Sequence, residues 1–274
     1  MTLTLTLHTH STVPLEVEGV TPDAVHGMTP DQVRRLPIYQ GNQTVELGEF
    51  FRVEGDPSDN QMVWEGMLEG VHWIGAKMAA GRIEIRGSAG RHVGSQMQGG
   101  TIEVFGNVGD WVGAEMRGGS IFVRGNAGHL AGAAYRGSAQ GMNRGTLLIW
   151  GNAGNEIGHS LRRGLIAVGG QVGDLVGWNL LAGTILVFGN CGIRHGAGMK
   201  RGTIGLLGPE PPPLLPTFRR ACRYRPLVAL LFLRKLRGWG FPVPEEILEA
   251  DIVLYRGDML EGGRGEIWTR ADLS

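Results

Sequence analysis

Side chains of the types that carry out chemistry are sparse in this sequence, and none is arranged as a recognisable site. His8 and His10 form an HxH pair, a spacing that some metal sites use. The leucines at positions 3, 5 and 7 take the opposite parity, so both histidines of such a strand are expected to face solvent. No second group of ligands accompanies the pair, and we expect no metal site there.

His195 and Cys191 each replace an apolar residue of the repeat described below. Valine, isoleucine or alanine stands at the His195 position elsewhere, which predicts a core or end-cap role. Alanine or valine stands at the Cys191 position, which predicts a buried, unreactive thiol. The two cysteines form no CxxC pair, so neither a disulfide scaffold nor an iron–sulfur cluster is expected. There is no G-x-x-x-x-G-K-[ST] phosphate loop either. We therefore predict no catalytic, cofactor-binding or metal-binding residue in this chain.

A basic segment lies between Thr217 and Gly238. It contains seven cations: Arg219, Arg220, Arg223, Arg225, Arg234, Lys235 and Arg237. Such a segment can bind an anionic ligand, but a solvated helix face or a partner contact is the favoured interpretation. The apolar stretch LVALLFL inside it predicts a buried helix that begins at Pro226.

The overall charge excludes strong electrostatic partners. The 274 residues carry 26 basic and 26 acidic side chains, so no strong field attracts nucleic acid or an anionic membrane. The first residues, MTLTLTLHTH, lack the basic and apolar regions of a signal peptide. The longest apolar run, 227–233, is too short to span a bilayer. We expect a soluble, cytoplasmic protein.

Glycine marks a repeat of 19 residues. The 47 glycines include a series that precedes each strand-like run: Gly81, Gly100, Gly119, Gly145, Gly164, Gly183 and Gly202. Three further series begin at Gly87, Gly90 and Gly94 and keep the same phase. The spacing is 19 throughout, apart from one step of 26 between Gly119 and Gly145, which predicts a seven-residue loop thrown out from one corner.

Each 19-residue unit, here called a rung, contains a strand with alternating apolar residues. One inward series begins at Ile83 and Ile102, and a second begins at Ile85 and Val104. A rung of this length fits short strands joined by tight corners, stacked in parallel about 4.8 Å apart, with glycine supplying positive φ at the corners. The pattern therefore predicts a mainly β protein built as a β-helix, a solenoid of stacked rungs.

One polar series completes each rung. It consists of Ser88, Asn107, Asn126, Asn152, Gln171 and Asn190. Stacked amides can hydrogen-bond along the axis, so an internal corner ladder is favoured over a polar binding stripe.

The residues that alternate with the inward series form an outer wall. Its two series are Glu84, Glu103, Phe122, Leu148, Ala167, Leu186 and Arg86, Phe105, Arg124, Trp150, Gly169, Phe188. The later rungs are almost wholly apolar, and such a patch is rarely left in water. Either the apolar helix at 227–233 or a partner protein must cover it.

Three regions follow from these patterns. Residues 1–63 form an N-terminal α/β cap region, with strands at Leu3–Leu7 and 48–55 and a helix that starts at Thr29-Pro30. Residues 64–208 form the repeats, with 64–80 as a degenerate first rung. Residues 209–274 form a tail with a helix and two final strands at 251–255 and 265–269.

The repeat unit GGTIEVFGNVGDWVGAEMRGG at 99–119 resembles the GxGxG domain of the large glutamate synthase subunit and the C subunit of formylmethanofuran dehydrogenase. The stretches LLPTFRR (214–220) and YRGDMLEGGRGEIW (255–268) resemble the tail of that C subunit. The resemblance implies a single-stranded right-handed parallel β-helix and a scaffold role. The tail distinguishes this family from a free-standing glutamate-synthase-like domain, which remains an alternative.

The family includes the C subunit of the bacterial formyltransferase/hydrolase complex, which converts formyl-tetrahydromethanopterin through a methanofuran-type carrier to formate. This resemblance implies three partners: the metal-dependent, hydrolase-like A subunit, the B subunit and the formyltransferase D subunit. It implies no cofactor in this chain. It also implies that much of the outer wall is hidden in the complex, with Trp150 as an anchor, whereas cover by the tail alone is the alternative. Arginine supplies 23 of the 26 basic residues, which favours the bacterial version over a tungsten or molybdenum dehydrogenase. The coenzyme's acidic arm is a possible ligand of Arg219, Arg220, Arg223 and Arg225.

Overall fold

The computed structural model describes residues 2–9 and 11–273. The chain is mainly β. Its strands are β1 (Leu3–Leu7), β2 (Leu15–Glu16), β3 (Pro37–Gln40), β4 (Gln43–Glu46), β5 (Phe51–Glu54), β6 (Gln61–Glu65), β7 (Val71–His72), β8 (Arg82–Arg86), β9 (Thr101–Val104), β10 (Ser120–Val123), β11 (Thr146–Ile149), β12 (Leu165–Val168), β13 (Thr184–Val187), β14 (Gly202–Leu206), β15 (Arg219–Tyr224), β16 (Ile252–Gly257) and β17 (Gly265–Arg270). Its α-helices are α1 (Pro22–Val25), α2 (Pro30–Arg34), α3 (Leu227–Gly238) and α4 (Glu245–Glu249).

A 13-stranded sheet runs the length of the molecule. Strands β8 to β14 lie in chain order and pair in parallel, with Ile83 opposite Ile102 and Ile121 opposite Leu147. The 19-residue period therefore sets the register, and the longer step between β10 and β11 leaves it unchanged. Both inward series are buried, as predicted. A degenerate first rung is present, because β6 pairs in parallel with β8, but its strand begins at Gln61 rather than at the predicted bound of 64.

Backbone hydrogen bonds also join successive rungs outside the 13-stranded sheet. Isolated bridges link Ala89 to Val108 and Val108 to Ala127. On a further side, the amide of Gly94 donates to the carbonyl of Ile74 at 2.9 Å, and its equivalents repeat this bond along the stack. Each rung is thus held to its neighbours at several points around its circumference.

Two different physical demands explain the glycines. Gly94 has φ +63°, a conformation that glycine adopts without penalty. Gly106 lacks positive φ, but a Cβ there would lie 2.5 Å from the carbonyl carbon of Gly87. The expectation of positive φ is correct for the series of Gly81 and Gly94, whereas the series from Gly106 onwards serves close stacking.

The two ends of the large sheet reverse direction. Antiparallel β5 pairs with β1 at one end, and antiparallel β16 and β15 follow β17 at the other. The predicted strand at 48–55 is shorter than expected, since a 3-10 turn occupies Leu47–Glu49. Helix α2 begins as predicted, with a capping box between Thr29 and Gln32. Both predicted final strands are present as β16 and β17.

The outer wall changes from charged to apolar along the stack, as predicted. Glu103 accepts hydrogen bonds from Arg82 at 2.7 Å and from Arg124 at 2.6 Å. In later rungs Leu148, Leu186 and Phe188 pack in one buried cluster with residues of α3 and α4. The expectation that a partner hides this apolar region, with Trp150 as its anchor, is wrong. The tail covers it, and the Trp150 indole donates to the Gly240 carbonyl at 3.0 Å and packs on Phe241.

This packing yields a stability prediction. Phe188 is 5% exposed under the tail, whereas Phe105 holds the equivalent wall position in an early rung and is 52% exposed. Phe188→Ala should lower the free energy of unfolding by roughly 3–5 kcal/mol, because it opens a cavity between wall and tail. Phe105→Ala is the matched control and should change it by less than about 0.5 kcal/mol. Urea denaturation measures both, and equal losses would contradict the assignment of the tail as cover.

Candidate functional site

The chemistry-bearing residues do not come together as a catalytic centre. Among residues 2–9 and 11–273, no group of three or more His, Cys, Asp or Glu side chains could hold a metal ion. His8 is exposed, as expected, and contacts Thr9, while His10 lies outside the described residues. No helix in the described part of the chain could cross a membrane.

His195 is fully buried in the last full rung before the tail. Its Nε2 donates to the Gly192 carbonyl at 2.9 Å, and burial lowers the pKa of the imidazole. A neutral, internally bonded ring suits the predicted core role. Cys191 is half-buried rather than buried, because it lies at an outer corner, yet desolvation raises the pKa of its thiol to about 11. A thiol that stays protonated is a poor nucleophile, which supports the prediction that it is unreactive.

The polar series beginning at Ser88 forms the predicted corner ladder, with hydrogen bonds that run from rung to rung along the axis. Its predicted internal position is wrong, because the ladder lies on the outside of the corner. Asn107 and Asn126 are exposed. The side-chain oxygens of the first four members, Ser88 to Asn152, each accept from the backbone amide of the next rung, as in Asn126 N to Asn107 Oδ1 at 2.8 Å. These groups complete backbone hydrogen bonding at the corner, which leaves water access to the rest of each amide.

A second polar ladder, which the sequence patterns do not predict, runs beside the first. Asp110 Oδ1 accepts from the His129 amide at 2.7 Å, His129 Nδ1 accepts from the Asn155 amide at 2.9 Å, and Asn155 Oδ1 accepts from the Asp174 amide at 3.0 Å. The residue types vary, but each side chain places a hydrogen-bond acceptor at a similar distance from its own backbone. A search for acceptors at the repeat period, irrespective of residue type, is the signal that could find it.

The inserted residues fold back onto the early rungs and build an aromatic cluster. His92 stacks on Trp73 at 4.1 Å between ring centroids and lies 5.5 Å from Trp111. The Tyr135 hydroxyl from the insertion lies 2.9 Å from His92 Nδ1 and donates to Ser95 Oγ at 2.9 Å. Ser95 in turn donates to the Trp111 carbonyl, so His92 Nδ1–H is the donor to Tyr135.

This cluster stabilises the neutral forms of its titratable groups. Desolvation, with the nearby Arg91 cation, lowers the pKa of His92 to about 4. Desolvation also raises the pKa of Tyr135 to about 12. Neither group is poised to exchange protons near neutral pH, which favours a role in holding the loop.

The C-terminal tail departs from the predicted buried helix. Helix α3 begins after Pro226 as expected, but only Leu233 and Leu236 are buried. Leu227 is 80% and Leu231 is 67% exposed, because the helix lies over the wall and presents its other face outward. These leucines form, with Val228, the outer face of α3.

The basic segment 219–237 is divided between strand β15 and helix α3. Arg223 pairs with Asp251 at 3.0 Å, and Arg225 donates to the Leu248 carbonyl at 3.1 Å. Arg219 and Arg220 remain exposed on the edge strand. Coenzyme contact by this segment stays a prediction, and these two arginines are its best candidates.

The His92 environment yields a pH prediction. The unfolded chain binds a proton at His92 below about pH 6.5, whereas the folded chain resists it down to about pH 4, so stability is lost as the pH falls through this window. His72, His159 and His195 also have lowered pKa values and act in the same direction. His92→Gln should therefore reduce, without abolishing, the fall in unfolding free energy between pH 7 and pH 5. An NMR titration midpoint for His92 near 6.5 would contradict this.

Comparison with known proteins places the chain in a family. The family model described as the GXGXG motif matches residues 71–211. The C subunit of the tungsten-containing formylmethanofuran dehydrogenase 2 of Methanothermobacter thermautotrophicus is 38% identical over 85 residues, covering 30% of this chain and 32% of that protein. The C subunit of the molybdenum-containing formylmethanofuran dehydrogenase 1 of Methanosarcina barkeri is 38% identical over 85 residues, covering 30% of this chain and 28% of that protein. The match thus spans about a third of the length of these curated relatives.

A solved structure is similar over nearly the whole chain. It is a chain of the formyltransferase/hydrolase complex FhcABCD of Methylorubrum extorquens, crystallised with methylofuran. The TM-score is 0.89 and the identity 31%, covering 98% of this chain and 99% of that one. This chain therefore belongs to the GXGXG motif family and is a homologue of the C subunits of the formylmethanofuran dehydrogenases.

Proposed function

We propose that this chain is the non-catalytic C subunit of a formyltransferase/hydrolase complex. In that complex, formyl-tetrahydromethanopterin is converted through a formyl-methanofuran-type carrier to formate. The observation that carries the proposal is the match to a chain of FhcABCD over 98% of this chain, tail included. The tail matters, because a free-standing glutamate-synthase-like domain gives no reason for it.

We further propose the detailed architecture and its division. The parallel register and the backbone bonds around each rung support a single-stranded right-handed parallel β-helix, since crossovers between parallel strands are almost always right-handed. Residues 1–63 then act as the N-terminal cap region, 64–208 as the helix and 209–274 as the tail. The chain contributes no catalytic, cofactor-binding or metal-binding residue. The methanofuran-type coenzyme, tetrahydromethanopterin and hydrolytic metal belong to the A, B and D subunits.

A second candidate is the C subunit of a tungsten or molybdenum formylmethanofuran dehydrogenase. It is favoured by the 38% identity to those proteins, but over only 30% of this chain. Purification of the native complex separates the two candidates. Formate release from formyl-tetrahydromethanopterin without tungsten or molybdenum supports the hydrolase, and stoichiometric tungsten or molybdenum supports the dehydrogenase.

The scaffold role predicts how activity depends on this chain. Purified alone, the chain should neither transfer nor hydrolyse formyl groups. Co-expression of the partner subunits without it should yield incomplete assemblies on size-exclusion chromatography, and adding it should restore full-size complex and formate release. Turnover by the chain alone, or full activity of the complex without it, would overturn the proposal.

The outer face of α3 predicts where assembly is sensitive. Leu227 and Leu231 lie one turn apart and expose apolar surface that a partner can cover. Leu227→Glu with Leu231→Glu should leave the free energy of unfolding nearly unchanged but abolish co-purification of partner subunits. Tyr39→Glu, an exposed apolar position in the N-terminal cap region, is the control and should preserve assembly. Normal assembly of the leucine variant would show that this face stays in solvent.

A further inference from the structure

One corner of the stack carries a stripe of cations that the register brings together. Thr146 pairs with Leu165, Leu165 with Thr184, Thr184 with Thr203, and Gly202 with Gly265. The residues just before these strands therefore stack as well. They form one ladder, in order: Arg144, Arg163, Ala182, Arg201 and Arg264.

A second ladder lies beside the first. In this ladder the backbone amide of each residue donates to the carbonyl of a buried Met or Leu in the preceding rung, as in Arg117 to Met97 and Lys200 to Leu180. Its members, in order, are Arg117, Asn143, Arg162, Leu181 and Lys200. Each of these residues directly precedes the first ladder's position in its own rung. Rungs lie about 4.8 Å apart, so the cations of the two ladders form a basic stripe along this corner. The stripe is interrupted in the rung of Leu181 and Ala182, which carries no cation.

The cations of this stripe have no internal counter-ions. Outside it, Arg82, Arg86 and Arg124 pair with carboxylates of the outer wall. Within the described residues, no ion pair or side-chain hydrogen bond involves Arg117, Arg144, Arg162, Arg163, Lys200, Arg201 or Arg264. Apart from half-buried Arg162, all are exposed. The neutral chain thus concentrates unpaired positive charge on one edge.

We propose that this basic stripe binds an extended, carboxylate-rich segment of a partner subunit. Guanidinium groups recognise carboxylates through paired hydrogen bonds, and a line of them suits an extended chain rather than a point ligand. Single-stranded nucleic acid is disfavoured, because neither ladder contains an aromatic residue on which bases could stack. A second copy of this chain is also disfavoured at this face, since two such stripes repel. The identity of the partner as a member of the complex rests on the proposed function.

Two kinds of variant test the stripe: one replaces its positive charges with negative ones, and the other adds a positive charge. Arg163→Glu with Arg201→Glu reverses two members of the stripe. Arg35→Glu with Arg52→Glu makes the same change in net charge at exposed positions of the N-terminal cap region. Ala182 interrupts the ladder between Arg163 and Arg201, so Ala182→Arg completes it.

The first assay measures binding of a fluorescent decaglutamate peptide to the full chain at 50 mM and 300 mM salt. The wild type should bind at low salt and lose affinity at high salt. The stripe variant should bind about tenfold more weakly, the control within about twofold, and Ala182→Arg more tightly. Equal losses in both charge-reversed variants, or tighter binding of a ten-residue oligodeoxycytidine, would overturn the assignment of a carboxylate site.

The second assay measures recovery of partner subunits by the same variants. The stripe variant should recover less partner at 150 mM salt than the control does. If the stripe variant loses peptide binding but assembles normally with the partner subunits, the stripe does not bind a segment of a partner subunit and the proposal is overturned. If no variant and no wild-type chain assembles, yet peptide binding follows the stripe, the proposed function fails while the carboxylate site stands.

Discussion

Close contact between successive backbones is the constraint on which the rest of this structure depends. At Gly106 a single methyl group would collide with the carbonyl carbon of Gly87, and at Gly189 with that of Gly170 at 2.4 Å. Corners that approach this closely can stack only when each lies directly over the corner of the preceding rung. The regular rungs therefore keep the 19-residue period, and a longer connection such as the insertion must return the chain to the same register. Every other regularity, apolar or polar, inherits its alignment from this contact.

A stack of this kind has two ends that must be closed. Antiparallel strands close both of them, since β5 turns back along β1 and β16 turns back along β17. At the C-terminal end, Phe218 and Ile267 extend the core beyond the last glycine rung, which explains how His195 is buried so near that end. The edge strand β15 carries arginines and an irregular register between Arg220 and Cys222, features that discourage pairing with another sheet edge.

The repeat was predictable because seven glycine-led strands report the same geometry independently. The register follows from that period, and the inward residues and the charged early wall follow from the alternation within each strand. Other features were not predictable for identifiable reasons. Trp73, His92 and Trp111 adopt φ near +60° without being glycine, so residue type does not reveal the conformation. The stretch LVALLFL is apolar on all sides, so its pattern could not show which side of α3 faces the wall. The position of Tyr135 over His92 depends on how a loop folds back, which no period encodes.

The corners of the stack differ in whether hydrogen bonds within the chain satisfy their polar groups. A corner whose polar groups are satisfied stabilises the stack, whereas a corner whose charges are unpaired is suited to binding a ligand. At the amide ladder, each side-chain oxygen of Asn107, Asn126 and Asn152 accepts a hydrogen bond from a backbone amide of the next rung. The ladder therefore stabilises the stack and needs no ligand. Guanidinium groups cannot accept hydrogen bonds, so arginines at a corner cannot perform that task. The exposed side chains of Arg144, Arg163 and Arg201 repel one another in the folded chain. Within the described residues, no side-chain hydrogen bond or ion pair compensates for this repulsion. A carboxylate-rich segment along this corner, as proposed above, would offset that repulsion and pair with guanidinium groups that have no partner within the described residues.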